Sequence, residues 1–302
     1  AAGGGVSGGA RHDDVFEAER ARLVRLAYRM LGERAAAEDV VQEPFLRWVK
    51  ADRAAIANPQ AWLTRAASRL AIDALRKAKA RREDYVGPWL PEPVVEPLAG
   101  LEHEEEEDDR AERISLGFLH VLERLSPDER AAFILHDAFD CGYDEIAAAL
   151  KKTEPACRKL VSRARERVRS GRPRFETDRS VQQRVVAAFM AAAANGDAAA
   201  MKALLTEDAI VYSDGGGKVR AALRPLIGPD DAVHVLASVA RKYAGQIAEV
   251  TPVEVNGQFG LALSQNGVLH SLYTADIEDG RIARLFIIRN PDKLARAQGS
   301  LG

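Results

Sequence analysis

The 302-residue chain has little cysteine, methionine or tryptophan (two, three and three residues), and only 6% of it is aromatic. Cys141 and Cys157 form no C-x-x-C pair and have no histidine at ligand spacing, so neither a disulfide framework nor a structural zinc site is supported. Two reduced thiols are expected. Apolar runs such as Phe189 to Ala194 and Leu285 to Ile288 fall far short of the ~20 residues that span a bilayer, so no transmembrane helix and no membrane partner are expected. The Gly/Ala-rich start has neither the basic nor the apolar region of a secretion signal. Residues 1–12 therefore read as a disordered tail on a cytoplasmic protein. The scarcity of aromatics argues against an aromatic-rich β sandwich, and the length suggests roughly two domains at about 150 residues each, or three where some are small helical modules.

The net charge of -2 conceals strongly charged blocks, and a partner responds to the blocks. Arg65 to Arg82 carries seven Lys/Arg against Asp73, a net +6, and Lys151 to Arg174 carries ten against Glu154 and Glu166, a net +8. Between them, Glu102 to Glu112 has eight acidic residues against Arg110, a net -7. Helical spacing of apolar residues runs from Phe16 through Leu23, Ala27 and Leu31, and then through Val41 and Phe45. From Trp62 to Ala78, Leu63, Ala66, Ala67, Leu70 and Ala74 form an apolar stripe, with Arg65, Arg69 and Arg76 on another face. Repeated prolines from Pro88 to Pro97 exclude helix there and mark a linker.

Ser126-Pro127-Asp128-Glu129 is a capping box with proline at the first helical position. Tyr143 to Leu150 and Pro155 to Arg169 have the separation of a helix-turn-helix, whose second helix can enter the major groove. A plain helical hairpin with a solvated basic face fits the same pattern. Two helices (Val181 to Asn195, Ala198 to Leu205) then lead into strands, with Asn256-Gly257, Asn266-Gly267 and Asp279-Gly280 as hairpin turns. Asp214 to Lys218 is rich in glycine but lacks the phosphate-loop spacing, so nucleotide hydrolysis is rejected. It reads as a hairpin turn or as a contact loop. In a regular strand, His270 and Asp276 share one face and Tyr273 points the other way, so no catalytic constellation is assembled and no enzyme activity is expected.

Three ordered motifs narrow the reading further. Ala37 to Glu43 followed by Phe45-Leu46-Arg47-Trp48 resembles the core-polymerase-binding helix of extracytoplasmic-function sigma factors. Asn58-Pro59-Gln60-Ala61-Trp62-Leu63 with Ala71 to Arg76 resembles the segment of that family that melts and reads the -10 element. Leu125 to Arg130, Tyr143 to Ala147 and Arg163 to Arg165 resemble its -35-binding domain. Trp89-Leu90-Pro91-Glu92-Pro93, Asp214-Gly215-Gly216-Gly217-Lys218 and Asn290-Pro291-Asp292-Lys293-Leu294 are similar to motifs of the subgroup with a SnoaL-like C-terminal extension.

The resemblance implies two all-α domains followed by an α+β, cone-shaped SnoaL-like domain: a sigma-2 domain at 13–86, a Pro-rich and acidic linker at 87–112, a sigma-4 domain at 113–173 and a regulatory domain at 180–296. It implies a transcription initiation factor that binds RNA polymerase core, through the β′ clamp helices and the β subunit, and binds promoter DNA. Asp39, Gln42, Glu43, Arg47 and Trp48 would face polymerase. Arg65, Arg69, Arg76 and Lys77 would face the -10 region, and Arg158, Lys159, Ser162, Arg163 and Arg165 the -35 region. The three extension motifs would meet in a regulatory contact, with Trp89, Leu90, Pro91 and Pro93 folded back on the C-terminal domain. Such a domain also leaves room for a small-molecule ligand; no cofactor and no metal are expected. One departure from the family is Pro44, which removes a helical N–H and conflicts with the Val40 carbonyl, so a kink or altered core binding is expected. A one-component DNA-binding regulator, or a SnoaL-like enzyme on a DNA-binding scaffold, would share parts of this pattern.

Overall fold

Helix boundaries follow the local signals closely. The structure, a computed structural model, describes residues 10–52, 55–98, 114–170, 178–243, 245 and 249–301. The acidic run Glu102 to Glu112 lies outside the described residues. The chain divides into two compact units, one formed by residues up to Glu83 with Leu122–Arg169, the other by Asp84–Val121 with Ser170–Gly302.

The first unit is helical. Helices α1 (Ala10–Leu31), α2 (Arg34–Lys50) and α3 (Pro59–Glu83) pack against one another, and α1 begins within the stretch expected to be a tail. Leu23, Leu26 and Met30 of α1, Val41 and Trp48 of α2, and Leu63, Ala67, Ala71 and Leu75 of α3 are buried. Asn58 caps α3, its side-chain oxygen accepting from the Ala61 N–H at 3.0 Å, and Pro59 supplies a first residue that needs no partner for its nitrogen. The buried stripe of α3 is rotated from the expected one: Thr64, Ser68, Ile72 and Ala78 join it, while Ala66, Leu70 and Ala74 are half-buried. Helix α2 runs through Pro44, which is buried, so the proline is accommodated without ending the helix.

After α4 (Leu116–Leu122), helix α5 (Pro127–Asp137) packs on α1 and α3. Its Ser126 capping box is complete, with Ser126 Oγ accepting from the Glu129 N–H and Glu129 Oε2 from the Ser126 N–H. Helices α6 (Tyr143–Leu150) and α7 (Glu154–Ser170) form the helix-turn-helix, turning through Lys151 in the left-handed region at φ 56°. Cys157, Leu160, Val161, Ala164 and Val168 form the buried face of α7. Burial pushes the Cys141 thiol up to about 11, and Cys157 is raised for the same reason, so both cysteines of this unit are free thiols with little thiolate.

The second unit is α+β. Strands β1 (Val95–Pro97), β2 (Leu205–Asp214), β3 (Leu226–Ile227), β4 (Glu249–Val255), β5 (Gln258–Gln265), β6 (Val268–Glu278) and β7 (Arg281–Ile288) form one sheet in the order β1-β4-β5-β6-β7-β2-β3. Among the described residues, only β2 and β7 pair in parallel. The three expected hairpin turns place both central residues at positive φ, as a tight turn matched to strand twist requires: Asn256/Gly257 at 52° and 78°, Asn266/Gly267 at 52° and 74°, Asp279/Gly280 at 49° and 72°.

Helices α8 (Arg179–Ala194), α9 (Ala198–Ala203) and α10 (Pro229–Lys242) cover one sheet face, burying Val185, Phe189, Met201, Ala232 and Ala237 against Phe259, Leu261, Ile277 and Leu285. The other face, with Val95, Val253, Val255, Leu272, Phe286 and Ile288, is covered by Leu90, Leu116 of α4, and Leu294 and Ala297 of α11 (Pro291–Leu301). The described part of the segment expected as a linker, residues 87–98, therefore belongs to this unit. Its β1 pairs antiparallel with β4, and residues 114–121 group with this unit, Leu116 being fully buried in its core.

Trp48 requires a correction: at 2% exposure, with its ring 5.7 Å from that of Trp62, it belongs to the core and offers nothing to a partner. Trp48→Ala is expected to destabilise the helical unit by about 3–5 kcal/mol, whereas Leu46→Ala, at an exposed site, should cost within ~0.5 kcal/mol. Thermal or urea unfolding of the two variants checks this, and equal effects would place Trp48 on the surface.

Candidate nucleic-acid interface and a buried carboxylate hub

On α2, Asp39, Gln42, Glu43 and Arg47 are exposed together with Leu46 and Val49. Spacings of three and four residues put 39, 42, 43 and 46 on one helical face, a mixed carboxylate and apolar surface. Glu43 and Arg47 form an i,i+4 pair at 2.9 Å.

The basic residues are exposed as well, but several already have partners. On α3, Arg65, Arg69, Arg76 and Lys77 all face outward. Arg76 donates to Asp128 of α5 at 2.9 Å, and Arg69 donates to the Ala148 carbonyl of α6 at 3.4 Å. On α7, Arg158, Lys159, Ser162, Arg163 and Arg165 are exposed. Arg165 binds Asp137 through two nitrogens (2.8 and 2.6 Å), Arg158 lies 4.3 Å from the Tyr143 ring centroid and pairs with Glu154, and Arg163 lies 3.6 Å from Glu129. Asp128 also reaches Lys152 at 3.2 Å.

A buried network holds α1 and α3 to the start of α5. Arg130, 1% exposed, donates to the Arg29 carbonyl at 3.1 and 2.9 Å and to Glu123. Glu123 also accepts from Arg82 at 2.5 Å, and Arg82 reaches Glu33 at 2.9 Å and the Leu31 carbonyl. Burial by itself would raise the Glu123 carboxyl, but Arg130 and Arg82 outweigh it and hold it below its usual range. These four side chains were not among the expected site residues. The Glu/Arg pairs are 41 and 7 residues apart in sequence, with no local pattern to announce them.

In the second unit the three extension motifs converge on one carboxylate. Asp214, at the end of β2, is fully buried and accepts from Tyr85 Oη (2.6 Å), the Leu90 N–H (3.0 Å), the Gly216 N–H (3.0 Å) and Lys293 Nζ (2.6 Å). Lys293 also donates to the Leu90 carbonyl and lies 4.5 Å from the Trp89 ring centroid, a cation–π distance. Asn290 donates to Tyr85 Oη at 2.8 Å and caps α11 by accepting from the Asp292 N–H at 3.1 Å. Burial and the neighbouring Asp214 carboxylate drive the Tyr85 hydroxyl well above the usual tyrosine range, so it remains a donor.

The flanking residues close the cluster. Pro91, Glu92 and Pro93 are buried, Glu92 facing Arg296 at 3.4 Å; Leu90 and Leu294 join the same apolar core; Pro291 is the exposed first residue of α11. Lys218 pairs with Asp292 at 2.6 Å on the rim. The glycines are needed for space and conformation. Gly216 and Gly217 have φ of 65° and 69°, a Cβ at Gly216 would fall 2.5 Å from Asn290 Nδ2, and one at Gly215 2.5 Å from the Val219 carbonyl. Tyr85, 129 residues from Asp214, was missed by the sequence reading; no motif includes it.

The expected sharing of a face by His270 and Asp276 fails. Ser264 pairs with Leu269 and Leu263 with Ser271, so His270 is the extra residue of a bulge that resets the alternation. His270 and Tyr273 both neighbour Arg289, whereas Asp276 is buried against Arg284 (2.8 Å) and Gln258 (3.2 Å). A side chain on Gly117 of α4 would overlap the Asp276 carboxylate. Among the described residues, no cluster of His, Cys, Asp and Glu suits a metal ion, and no helix is long and apolar enough to cross a membrane.

Comparison with known proteins places these features. Residues 15–81 match the Sigma-70 region 2 family model, and residues 115–168 match Sigma-70, region 4. The chain is 38% identical to the ECF RNA polymerase sigma factor SigJ of Mycobacterium tuberculosis over 293 residues, covering 92% of this chain and 91% of that one. It is 29% identical to the probable ECF RNA polymerase sigma factor SigI of the same organism, over 97% of this chain and 99% of that one. The crystal structure of M. tuberculosis SigJ superposes with a TM-score of 0.72 at 35% identity, covering 94% of this chain and 98% of that one.

Two predictions follow from the buried charges. Asp214→Ala leaves Lys293 as an unpaired buried cation and should cost about 3–5 kcal/mol, while adding Lys293→Met should recover much of that loss; a double-mutant unfolding cycle with no coupling would remove the hub. For Glu123, whose carboxyl is lowered on folding, the stabilisation is complete above about pH 4.3, the ordinary glutamate value, and is lost as the pH falls through the lower folded-state value. Acid unfolding of the helical unit should therefore be less pH-dependent in Glu123→Gln, and an unchanged pH profile would contradict this.

Proposed function

The chain belongs to the extracytoplasmic-function RNA polymerase sigma factors, and from that premise we propose that it recruits polymerase core to promoters and is held in check by its own α+β domain. The exposed α2 face of Asp39, Gln42, Glu43, Leu46 and Arg47 is the core-binding surface. Arg65, Arg69, Arg76 and Lys77 of α3 serve the -10 region, and Arg158, Lys159, Ser162, Arg163 and Arg165 of α7 the -35 region. Lys and Arg on these faces neutralise phosphates, and Ser162 and its neighbours reach base edges in the major groove.

Magnitudes indicate that the described conformation is closed. Promoter elements about 25 base pairs apart are separated by ~85 Å at 3.4 Å per base pair, yet α3 is hydrogen-bonded to α5 and α6 through Arg76 and Arg69. Reading both elements at once requires breaking those contacts and the Glu123 network. Arg76 and Arg165 then exchange Asp128 and Asp137 for phosphate.

One observation carries the regulatory reading. The region 4 match begins at residue 115, but α4 up to Val121 groups with the second unit, where Leu116 is fully buried and Gly117 lies against Asp276. The extension thus holds the first helix of region 4, and the Asp214 hub holds the preceding segment from Tyr85 to Pro93. Closed and polymerase-bound states compete for the same helix, so whatever loosens the hub shifts the population toward the active state.

Run-off transcription with purified core and full-length protein tests both parts. Glu43→Lys should abolish promoter-specific initiation, and Gly117→Ala, which forces α4 away from Asp276, should raise it several-fold at equal protein concentration. Absence of any initiation by the unaltered chain would sink the first part; equal output from Gly117→Ala and the unaltered chain would sink the second.

A further inference from the structure

The arginines of α7 assigned to the -35 region are held in different ways, and the difference decides what each can recognise. Arg165 spends Nε and Nη2 on the Asp137 carboxylate at 2.8 and 2.6 Å, and Arg163 Nε lies 3.6 Å from Glu129. Arg158 is held by a ring. Its guanidinium carbon lies over Tyr143, 4.3 Å from the ring centroid, and Nη2 donates to Glu154 at 3.2 Å. A ring face attracts a cation without occupying any of its N–H donors, so most donors of this exposed guanidinium stay available to a partner.

Tyr143 is itself fixed. It is the first residue of α6, where the Gly142 N–H donates to Glu145 Oε2 at 3.2 Å and sets the helix start. The His136 ring, at the end of α5, lies 4.5 Å from the Tyr143 ring, and His136 Nδ1 donates to the Cys141 carbonyl at 3.3 Å. His136, Tyr143 and Arg158 thus form a chain of contacts from three successive helices. Glu154, one turn before Arg158, adds an i,i+4 pair. A long side chain restrained in this way loses less rotamer freedom when it binds.

In a helix-turn-helix the N-terminal residues of the second helix reach base edges, and Arg158 lies in that part of α7, one turn before Ser162. The arginine fork matches the O6 and N7 acceptors of guanine; adenine sets an amino donor where guanine has O6, and so rejects one arm of the fork. We infer that Tyr143 is a specificity-determining positioning residue, holding Arg158 for bidentate reading of one guanine in the -35 element, with His136 bracing Tyr143. The inference rests on the reading that α7 serves the -35 region. Arg165, whose donors are engaged edge-on by a carboxylate, is the counterpart suited to phosphate.

Holoenzyme assembled from purified core and full-length protein, transcribing a library randomised across the -35 region, tests this by sequencing the transcribed templates. One position should prefer guanine. Tyr143→Leu should weaken that preference about two- to fivefold, the worth of an exposed cation–π contact, and leave the other positions unchanged. Tyr143→Phe keeps the ring and should retain the preference, whereas Arg158→Lys keeps the charge without the planar fork and should lose it. Tyr143→Met, unbranched and adaptable in packing, replaces Tyr143→Leu if the latter misfolds. A guanine preference unchanged in the Leu or Met variant overturns the inference, as does equal loss at every position or loss in Tyr143→Phe. Sequence preferences that include no guanine dependent on Arg158 also overturn it and leave the -35 reading standing. Initiation with no preference anywhere in this region overturns the -35 reading and the inference together.

Discussion

The Asp214–Lys293 ion pair is the constraint on which the second unit depends. Both groups are buried, and a buried charge is tolerated only when its partner and its remaining hydrogen bonds are supplied together. Here each bond comes from a different stretch: Tyr85 and Leu90 before β1, Gly216 in the loop after β2, and Asn290 and Lys293 at the start of α11. Pulling any one of these away leaves a charge or a donor unsatisfied, so the segments are held as a set. That is a sound design for a contact that must be either made or broken.

The helical unit follows the same logic with different residues. Glu123, Arg82 and Arg130 are linked to one another and to the carbonyls that end α1, so the two helical segments of the chain share one charged seam. Around the rim, Asp128 and Asp137 pair with Arg76 and Arg165, two of the arginines proposed to face DNA. Exposed pairs of this kind are weak individually and sensitive to salt, whereas the buried seam is not screened in that way.

Helix α4 is assigned by sequence similarity to region 4 and by packing to the α+β unit. Such double allegiance gives a regulatory domain something to hold. The Asp276 carboxylate against Gly117 leaves no room for even a methyl group, which makes the docking of this helix specific as well as apolar.

What the sequence by itself determined was local. The Ser126 capping box, Asn58 ahead of Pro59 and the three Asn/Asp-Gly turns appear where expected because each depends on residues within a few positions of one another. The basic faces of α3 and α7 were also legible, since helical periodicity fixes which residues point outward. Helix α10 was not expected, although Gly228-Pro229-Asp230-Asp231 carries the start signal, and β1 was hidden among prolines that do suit an edge strand. Tertiary structure alone decided that Trp48 is core, that Tyr85 and Lys293 complete the Asp214 site, that His270 bulges toward Arg289, and that α4 packs with the sheet. In each case the partners are separated by tens to hundreds of residues or the strand register slips by one. Neither composition nor periodicity encodes those distances, because they are fixed only when the two faces of the sheet are filled.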